Sequence, residues 1–397
     1  MRIEGLKLIN YKALQNVELL NIPTMAIFVG ANGVGKTTLF SVFGFLKDCL
    51  ESNVNKAVQM RGGYEEIVSR GHLEEDIIIE IKYYMQLGKK ERLVTYHLEI
   101  GPAESLEHIS VKNEYLAYKR GEHGSPFHFL EFSNGKGFAI SNESDFSQPD
   151  TELKREFQTL DSPDILAIKG LGQFERFNAA KTFRRAIEDW YVSDFHIEGA
   201  RGSKDMSNDS EHLNKSGDNL QNVAKTIHDR NPEIFNRIVE KMKKRVPGIA
   251  DIGSAVTQDK RLLLEFKDGS FKDPFIDKYV SDGTLKMFAY LVLLNDPAPH
   301  PLLCIEEPEN QLYPQVLQEL VEEFREYAER GGQVFVSTHS PELLNAAALD
   351  EVFWLEKKNG FSSIHRALED PQISAYMHEG DKMGYLWNQG FLGGAAV

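Results

Sequence analysis

The sequence contains few cysteines and fewer basic than acidic side chains. Its two cysteines, Cys49 and Cys304, each lie inside an apolar run, a pattern unlike a metal-spaced pair or a disulfide framework. The 45 Lys and Arg residues against 60 Asp and Glu give a formal net charge of −15, which excludes a general polyanion binder. These counts favour a reducing, cytoplasmic setting, in which any nucleic-acid contact comes from a local basic surface.

Long apolar runs are also absent. No stretch approaches roughly 18 uninterrupted apolar residues, and the first ten residues alternate charged with apolar side chains instead of forming a signal-peptide core. We therefore expect a soluble chain without a membrane role of its own. With 397 residues and a hydrophobic content of 41%, the chain is large enough for one large domain or two ordinary ones with a real core.

The order of predicted elements indicates an α/β domain that is interrupted in the sequence. Apolar periodicity predicts two early strands, and a helix over 36–50 follows a glycine-rich loop. In the last third, predicted strands alternate with predicted helices: helix 284–294, strand 302–305, helix 312–330, strand 334–338 and strand 351–355. Strands separated by helices of this length are typical of a parallel sheet.

The middle of the chain has a different pattern. Short runs rich in Ile, Tyr, Val and Phe from about 77 to 140 predict an antiparallel sheet. Residues 152–190 are predicted to be helical, residues 191–197 to form a core strand, and the nearly apolar-free stretch 199–219 to form a mobile loop. The predicted segments are an N-terminal core segment (residues 1–76), an antiparallel β subdomain (77–150), a helical lobe (151–250), a C-terminal core segment (251–357) and a tail (358–397).

Residues 30–37, GANGVGKT, match the phosphate-binding pattern G-x-x-x-x-G-K-[ST]. The motif lies between a predicted strand and a predicted helix, which is the required context. Glycines allow backbone N–H groups to turn toward a β-phosphate, and the helix N-terminus adds partial positive charge. Lys36 is expected to reach the β- and γ-phosphates, and the Thr37 hydroxyl to ligate Mg²⁺.

The predicted strand 302–305 ends in two carboxylates, Glu306 and Glu307. Parallel α/β sheets bind ligands at the carboxyl ends of their strands. Glu306 is a candidate Mg²⁺ ligand, and Glu307 is a candidate for orienting or deprotonating the attacking water, because phosphoryl transfer depends on positioning. The alternative is an acidic helix N-terminus that suits the helix dipole.

Two further motifs lie at the ends of predicted elements. In STHSPELL, residues 337–344, His339 follows a strand and is placed to hydrogen-bond the γ-phosphate or the water, although a packing role is the alternative. The segment from Ser281 to Gly283 opens helix 284–294 and forms either an anion-binding corner or an ordinary N-cap. The presence of a phosphate loop in the same chain favours the functional interpretation of both.

Taken together and in order, these four motifs are similar to those of the ABC-type ATPase heads of the RecF, SMC and OLD families. The start LKLINYKAL also resembles these heads, in which an N-(F/Y)-K/R element lies near the nucleotide. The resemblance covers roughly residues 1–50 and 275–357. It implies an α/β fold: a P-loop ABC-ATPase head with a mostly parallel core sheet, an antiparallel β subdomain and a helical lobe.

The resemblance also implies a site shared between subunits, because in this family the signature segment of one subunit caps the ATP held by another. It implies a homodimer joined through ATP-sandwiched heads, with a higher oligomer left open, and ATP and Mg²⁺ as cofactors. Glu307 and His339 would be catalytic, and Thr37 and Glu306 would hold the metal. The implied nucleotide-binding residues are Asn32, Gly33, Gly35, Lys36, Thr37, Thr38, Ser281 and Gly283.

The sequence departs from the family pattern at several positions, and these departures limit which residue roles can be transferred to it. VSDGT is a reduced form of LSGGQ, so only its Ser and Gly carry over, and Glu306 stands where Asp is commonest. Tyr313 stands where related ATPases often have His, and it receives no catalytic role. The glutamine that links the nucleotide to the lobe is either Gln59 or Gln173.

Features that the sequence lacks narrow the subtype of ABC-type ATPase head that it resembles. It has no heptads long enough for an SMC arm, and about 40 residues after the last core strand are too few for a Toprim nuclease domain. We therefore expect an ATP-hydrolysing switch that controls a separately encoded nuclease or toxin in nucleic-acid metabolism or anti-phage defence. The alternatives are a non-hydrolysing scaffold or inhibitor, a transporter subunit, and a RecF-like ATPase that binds DNA through the basic clusters 181–185 and 241–245. The aromatic tail 385–391 is either a docking strip or a latch.

Overall fold

The structure is a computed structural model that describes residues 1–87, 90–103, 105–118, 126–141, 153–193, 195–206 and 211–393. The strands are β1 (Arg2–Tyr11), β2 (Leu14–Leu19), β3 (Met25–Val29), β4 (Ile77–Leu87), β5 (Lys90–Pro102), β6 (Ile109–Tyr118), β7 (Phe127–Ser133), β8 (Lys136–Ile140), β9 (Arg155–Thr159), β10 (Tyr191–Val192), β11 (Lys204–Asp205), β12 (Ile249–Val256), β13 (Arg261–Asp268), β14 (Phe275–Ile276), β15 (Leu303–Glu306), β16 (Val334–Thr338), β17 (Val352–Lys358) and β18 (Phe361–Arg366).

The helices are α1 (Lys36–Glu51), α2 (Val54–Gln59), α3 (Tyr64–Ile67), α4 (Ala167–Leu171), α5 (Asn178–Glu188), α6 (Ile197–Ala200), α7 (Leu220–Arg230), α8 (Pro232–Arg245), α9 (Asp282–Leu294), α10 (Pro314–Glu329), α11 (Pro341–Leu344), α12 (Pro371–Glu379) and α13 (Met383–Asn388), with short 3₁₀ turns at Asp277–Tyr279, Leu349–Glu351 and Ala367–Glu369. The chain divides into two compact units. Their boundaries differ from those of the five predicted segments. The first comprises Met1–Trp190, Leu349–Gly380 and Leu386–Val397, and the second comprises Tyr191–Ala348 and Asp381–Tyr385.

The first unit contains an antiparallel sheet with the strand order β2-β1-β4-β5-β6-β7-β8-β9. It includes the predicted sheet of residues 77–140 and extends it at both edges. The prediction of only two early strands was wrong, because β2 is a third: Leu14, Val17 and Leu19 are buried between polar residues. The prediction of helix throughout 152–190 was also wrong, because β9 pairs with β8 through its backbone although it has no buried face.

The phosphate loop lies between β3 and α1 of the first unit. All five residues of β3 are buried, and β3 pairs in parallel with β17, where Phe28 stacks on Phe353 at 5.3 Å between ring centroids. Helix α1 buries Leu39, Phe43 and Leu46 on one face, as its apolar spacing predicts. Phe43 of α1 packs edge to face against Trp190. Burial of each large apolar side chain of this kind contributes about 1.5–3 kcal/mol to stability.

The second unit contains the parallel strands β10, β15 and β16 together with α9 and α10. The predicted strand 191–197 is shorter in the structure: β10 has two residues, and α6 begins at Ile197. Within the predicted loop 199–219, β11 pairs with β13, and residues 207–210 lie outside the described part of the chain. The neighbouring small sheet has the order β11-β13-β12, with β14 also paired to β13.

Part of the aromatic tail is buried within the first unit. Leu386 and Leu392 are buried, and Phe391 lies 5.1 Å from Tyr376 between ring centroids. These contacts favour the latch over the docking strip, although Tyr385 is 53% exposed. Across the residues that the structure describes, no helix has both the length and the apolar character required to cross a membrane.

Candidate functional site

The phosphate loop uses glycine where the backbone requires it. Gly33 and Gly35 have φ values of 79° and 107°, in the region where other L-residues are strained by about 1–2 kcal/mol. A Cβ atom on Gly35 would also lie 2.7 Å from Oγ of Ser362. On Gly33 a Cβ atom would meet no other atom within 4 Å, so the loop is open at that point.

Lys36 is buried at the start of α1 and is hydrogen-bonded to its own loop. It is the first residue of α1 and only 6% exposed, and its Nζ donates to the carbonyl oxygens of Gly30 at 2.7 Å and Ala31 at 3.2 Å. Thr37 and Thr38 follow in the first turn of α1, with Thr37 exposed. A buried ammonium, an exposed hydroxyl and a helix N-terminus form a set of donors that fits the phosphates of a nucleotide.

Ser362 adjoins this loop, and sequence reasoning missed it. Its backbone N–H donates to the carbonyl oxygen of Ala13 at 2.8 Å, directly after the N-Y-K element. Its Oγ is buried beside Gly35 and has no hydrogen-bond partner among the described residues. Lys357 Nζ, on the preceding strand, lies 3.4 Å from the carbonyl oxygen of Gly33. The β17–β18 hairpin therefore borders the loop, together with the residue that follows the N-Y-K element.

The acidic pair lies in the second unit, at the carboxyl end of β15. Glu306 is the last residue of that strand. Glu307 follows it and has a left-handed backbone, with a φ of 42°. Its backbone N–H donates to the carbonyl oxygen of Ser337 at 2.9 Å. A left-handed backbone at a non-glycine residue costs about 1–3 kcal/mol and is found disproportionately at functional sites.

Glu307 and His339, both predicted as catalytic, lie close together. Nδ1 of His339 is 3.4 Å from Oε1 of Glu307, and Oε2 of Glu307 accepts from Nδ2 of Asn310 at 3.1 Å. The two carboxylate oxygens therefore face different neighbours. The His339 side chain is 43% exposed and the Glu307 side chain 31%, so water has access to both.

Glu309 is a second residue that sequence reasoning missed. Its Oε1 accepts from Oγ1 of Thr338 at 2.7 Å and from the backbone N–H of His339 at 3.0 Å. The same oxygen is 3.5 Å from Nδ1 of His339, and the side chain is only 8% exposed. Glu309 thus fixes the position of the histidine, and the available signal was the third acid in EEPE.

Lys286 on α9 holds the loop that follows the acids. Its Nζ donates to the carbonyl oxygen of Asn310 at 2.7 Å. Burial lowers the pKa of Lys286 to about 8, against the raising effect of Glu309 and Glu307. A buried lysine within an otherwise apolar helix gave no sequence signal that it belonged to this cluster.

Ser281 is the N-cap of α9, which was the alternative to its anion-binding role. Its Oγ accepts from the backbone N–H of Thr284 at 3.2 Å and lies 2.8 Å from the Thr284 hydroxyl. A Cβ atom on Gly283 would lie 2.6 Å from the carbonyl oxygen of Gln311, so this residue must be small. The predicted site residues fall into both units: Asn32, Gly33, Gly35, Lys36, Thr37 and Thr38 in the first, and Ser281, Gly283, Glu306, Glu307 and His339 in the second.

Each half of the candidate site has its own chemical capacity. The loop in the first unit presents cationic and N–H donors to an anion. The cluster in the second unit places carboxylates and an imidazole side by side, and these groups can accept, hold or donate a proton. These are the residue types that a P-loop nucleoside triphosphatase of the ABC type uses, and they are distributed over the two units.

The comparisons with known proteins agree with this class. The chain belongs to the family described as "AAA domain, putative AbiEii toxin, Type IV TA system", which matches residues 25–345. The protein is therefore an ATPase, its fold resembles that of an SMC head, and the resemblance found in the motifs is confirmed. No curated protein matches the chain.

Solved SMC heads resemble the structure. An SMC head bound to the C-winged helix domain of ScpA has a TM-score of 0.52 at 13% identity, covering 92% of this chain and 97% of that one, and this shows a shared fold. The SMC head of Thermotoga maritima has a TM-score of 0.44 at 15% identity, covering 92% and 99%. The Pyrococcus furiosus Smc head bound to the C-terminal domain of ScpA has a TM-score of 0.48 at 14% identity, covering 95% and 99%. The shared fold rests on the first of these three structures.

Proposed function

We propose that the protein is an ATP-hydrolysing switch that dimerises on ATP and controls a separately encoded effector. The observation that carries the hydrolytic part is the 3.4 Å approach of His339 Nδ1 to Oε1 of Glu307, in a chain that also has a complete phosphate loop. Glu307 orients or deprotonates the attacking water, and His339 hydrogen-bonds the water or the γ-phosphate. Glu309 keeps His339 in place, as its two hydrogen bonds at the end of β16 support.

The nucleotide and its metal ion are assigned to the remaining residues. The loop from Asn32 to Thr38 holds the phosphates, with Lys36 as the cation on the β- and γ-phosphates. Thr37 and Glu306 hold Mg²⁺, because a hydroxyl and a carboxylate oxygen are ligands that this hard cation accepts. The metal neutralises charge on the phosphates when it is bound.

The exposed N-terminus of α9 supports the proposed dimer. Ser281 is exposed, and α9 has 13 residues, so its N–H groups and the serine hydroxyl present partial positive charge to solvent. We assign Ser281 and Gly283 to the γ-phosphate of ATP bound in a second copy. A symmetric dimer then has two such sites.

The effector is the less direct part of the proposal. The family description names a toxin of a toxin–antitoxin system, which supports a role in defence with a partner protein. The related SMC head is described in complex with a domain of a separate protein, ScpA. A nuclease or toxin acting in the cytoplasm on nucleic acid remains our prediction for the partner.

Direct DNA binding through the basic cluster 241–245 receives no support from the ion pairs of its residues. Lys241 forms ion pairs with Glu323 and Glu326, the latter at 2.9 Å. Arg245 forms ion pairs with Glu319 at 2.7 Å and with Glu323 at 2.6 Å. The cluster 241–245 therefore links α8 to α10 through ion pairs, and its charge is largely compensated.

The test compares wild type with Glu307→Gln, measuring ATP binding, phosphate release and sedimentation with ATP or ADP. We expect unchanged ATP affinity, turnover reduced by about 100-fold or more, and a dimer that accumulates with ATP. Glu322→Gln, which changes an exposed glutamate of α10, is the matched control and should behave as wild type. Wild-type turnover in Glu307→Gln would remove the proposed base. Undetectable ATP turnover by the wild type in the presence of its partner would favour the alternative function, a non-hydrolysing scaffold.

A further inference from the structure

We propose that His212, Asp296 and His300 in the second unit form a binding site for one divalent transition-metal ion, best matched by Zn²⁺. One ligand atom from each residue lies within 4.8 Å of the others. Two imidazoles and a carboxylate are the donor types that Zn²⁺ takes in sites with three protein ligands and an open position. This inference does not rest on the proposed function.

The carboxylate of Asp296 is the strongest single indication. Its side chain is only 3% exposed, and a buried carboxylate needs a cation or several hydrogen-bond donors to offset its loss of hydration. Its Oδ1 accepts from the backbone N–H of Ala298 at 2.9 Å, which fixes the orientation of the group. Its Oδ2 faces Nδ1 of His212 at 2.7 Å. One oxygen is thus anchored by the backbone, and the other is directed toward His212.

The backbone of each candidate ligand residue is held by a side chain from elsewhere in the unit. The hydrogen bonds to their carbonyl oxygens are Asn219 Nδ2 to His212 at 2.9 Å, Tyr327 Oη to His300 at 3.1 Å and Arg330 Nη1 to Asp296 at 3.1 Å. The rings of the two histidines lie 5.2 Å apart between centroids. Such supporting bonds reduce the reorganisation that metal binding requires.

The cluster needs only small movements to coordinate a metal. Zn²⁺ bonds of about 2.0–2.1 Å in a tetrahedron separate ligand atoms by about 3.3 Å. The contact between His212 and Asp296 must therefore open slightly, and the longest separation must contract by about 1.5 Å at most. The His212 side chain is 43% exposed, so its ring has space to turn. A cavity of about 210 Å³ is lined by His212 and Asp296, so an ion and water can reach two of the three ligands.

The position of the cluster indicates a metal that takes no part in ATP hydrolysis. Asp296 follows the C-terminus of α9, whose other end carries Ser281, and His300 precedes β15, whose other end carries Glu306. A metal would link these two elements and the segment containing His212 at the ends remote from the candidate ATPase residues. We therefore expect occupancy to change the stability of the second unit more than ATP affinity.

The test titrates the full chain, stripped with a chelator and free of nucleotide, with Zn²⁺ against a chromophoric chelator, and counts bound metal by native mass spectrometry. We expect one tightly bound Zn²⁺ per chain, and affinity lowered by about 100-fold in His212→Ala and in Asp296→Asn. His228→Ala is the matched control, because His228 Nδ1 lies 2.9 Å from Oδ1 of Asp229 in an ordinary His–Asp pair. His339→Ala tests whether the ATPase cluster binds the metal instead.

Each outcome bears on the site. Both controls should retain one Zn²⁺ with wild-type affinity. No binding by the wild type at micromolar Zn²⁺, or unchanged affinity in His212→Ala and Asp296→Asn, would overturn the proposal, as would loss of the ion in His339→Ala. Circular dichroism of the metal-free variants establishes that they fold. Because the His212 side chain is 43% exposed, its replacement is expected to leave the metal-free protein folded, but less stable than wild type, since the buried Asp296 carboxylate loses a hydrogen-bond partner.

Discussion

The buried carboxyl group of Glu114 predicts a stability of the first unit that falls as pH rises. Glu114 lies in β6 with no exposed surface. It accepts hydrogen bonds from the backbone N–H groups of Ala167 and Ile168 at the start of α4 and from the hydroxyl of Tyr96 at 3.2 Å. Burial raises the pKa of Glu114 from 4.5 to about 7, although all three hydrogen bonds favour the ionised form.

The sign and size of the effect follow from linkage. Below pH 4.5 Glu114 is protonated in both the folded and the unfolded chain. Between pH 4.5 and about 7 the unfolded chain loses this proton while the folded chain keeps it, so the free energy of unfolding decreases. The contribution lost by pH 8 is about 3 kcal/mol, and Glu114→Gln, which cannot ionise, should not lose it.

The assay is urea unfolding of wild type and Glu114→Gln at pH 5, 6, 7 and 8. All three tryptophans, at positions 190, 354 and 387, belong to the first unit, so their fluorescence reports its unfolding. The stability of Glu114→Gln relative to wild type should increase by about 2.5 kcal/mol from pH 5 to pH 8, because part of the effect is already present at pH 5. Glu107→Gln, at an exposed position, should show no such trend. A difference that is constant with pH, or that changes in the opposite direction, would refute this account of Glu114.

Three further predictions concern the candidate nucleotide site. Lys36→Ala should weaken ATP binding by about 100-fold or more, because the loop loses its cation, and unchanged affinity of the folded variant would remove the assignment. Gly35→Ala should lower the free energy of unfolding by about 1–3 kcal/mol more than Gly33→Ala, because only Gly35 meets Ser362, and equal denaturation midpoints would contradict this. Ser281→Arg should bind ATP as a monomer but fail to dimerise or hydrolyse it, and a normal ATP-dependent dimer in sedimentation would refute the shared site.

Local sequence patterns predicted those regions of the fold that local physics determines. The phosphate loop is one continuous segment, so its glycines, lysine and threonine can be recognised as a motif in the sequence. The predicted helix 36–50 differs from α1 by one residue. Strand β16 matches its prediction at both ends, because its five residues are all apolar or buried. Strand β9 escaped prediction, because its side chains show no buried face and its pairing with β8 alone defines it.

Contacts that join distant segments could not be predicted in the same way. Ser362 lies beside Gly35 only because β18 pairs with β17, which in turn pairs with β3. Glu114 reaches the start of α4 across more than 50 residues of chain. Neither Ser362 nor Glu114 belongs to a sequence motif. A serine or glutamate in a strand normally indicates a solvent-exposed face. Their roles depend on burial, which is a property of the whole packed unit.

The approach of Glu307 to His339 is a consequence of strand register. Strands β15 and β16 are parallel, and Glu306 pairs with Ser337, so the residues after each of them emerge together at the same edge of the sheet. Leu303, Cys304 and Ile305 and the residues of β16 are buried, which fixes this register, because a slip by one residue would turn every side chain to the opposite face. If β15 continued regularly, Glu306 and Glu307 would also point to opposite faces. The left-handed φ of Glu307 ends the strand instead, so the pairing of apolar strands sets which residues meet, and a strained turn sets how the carboxylate is presented.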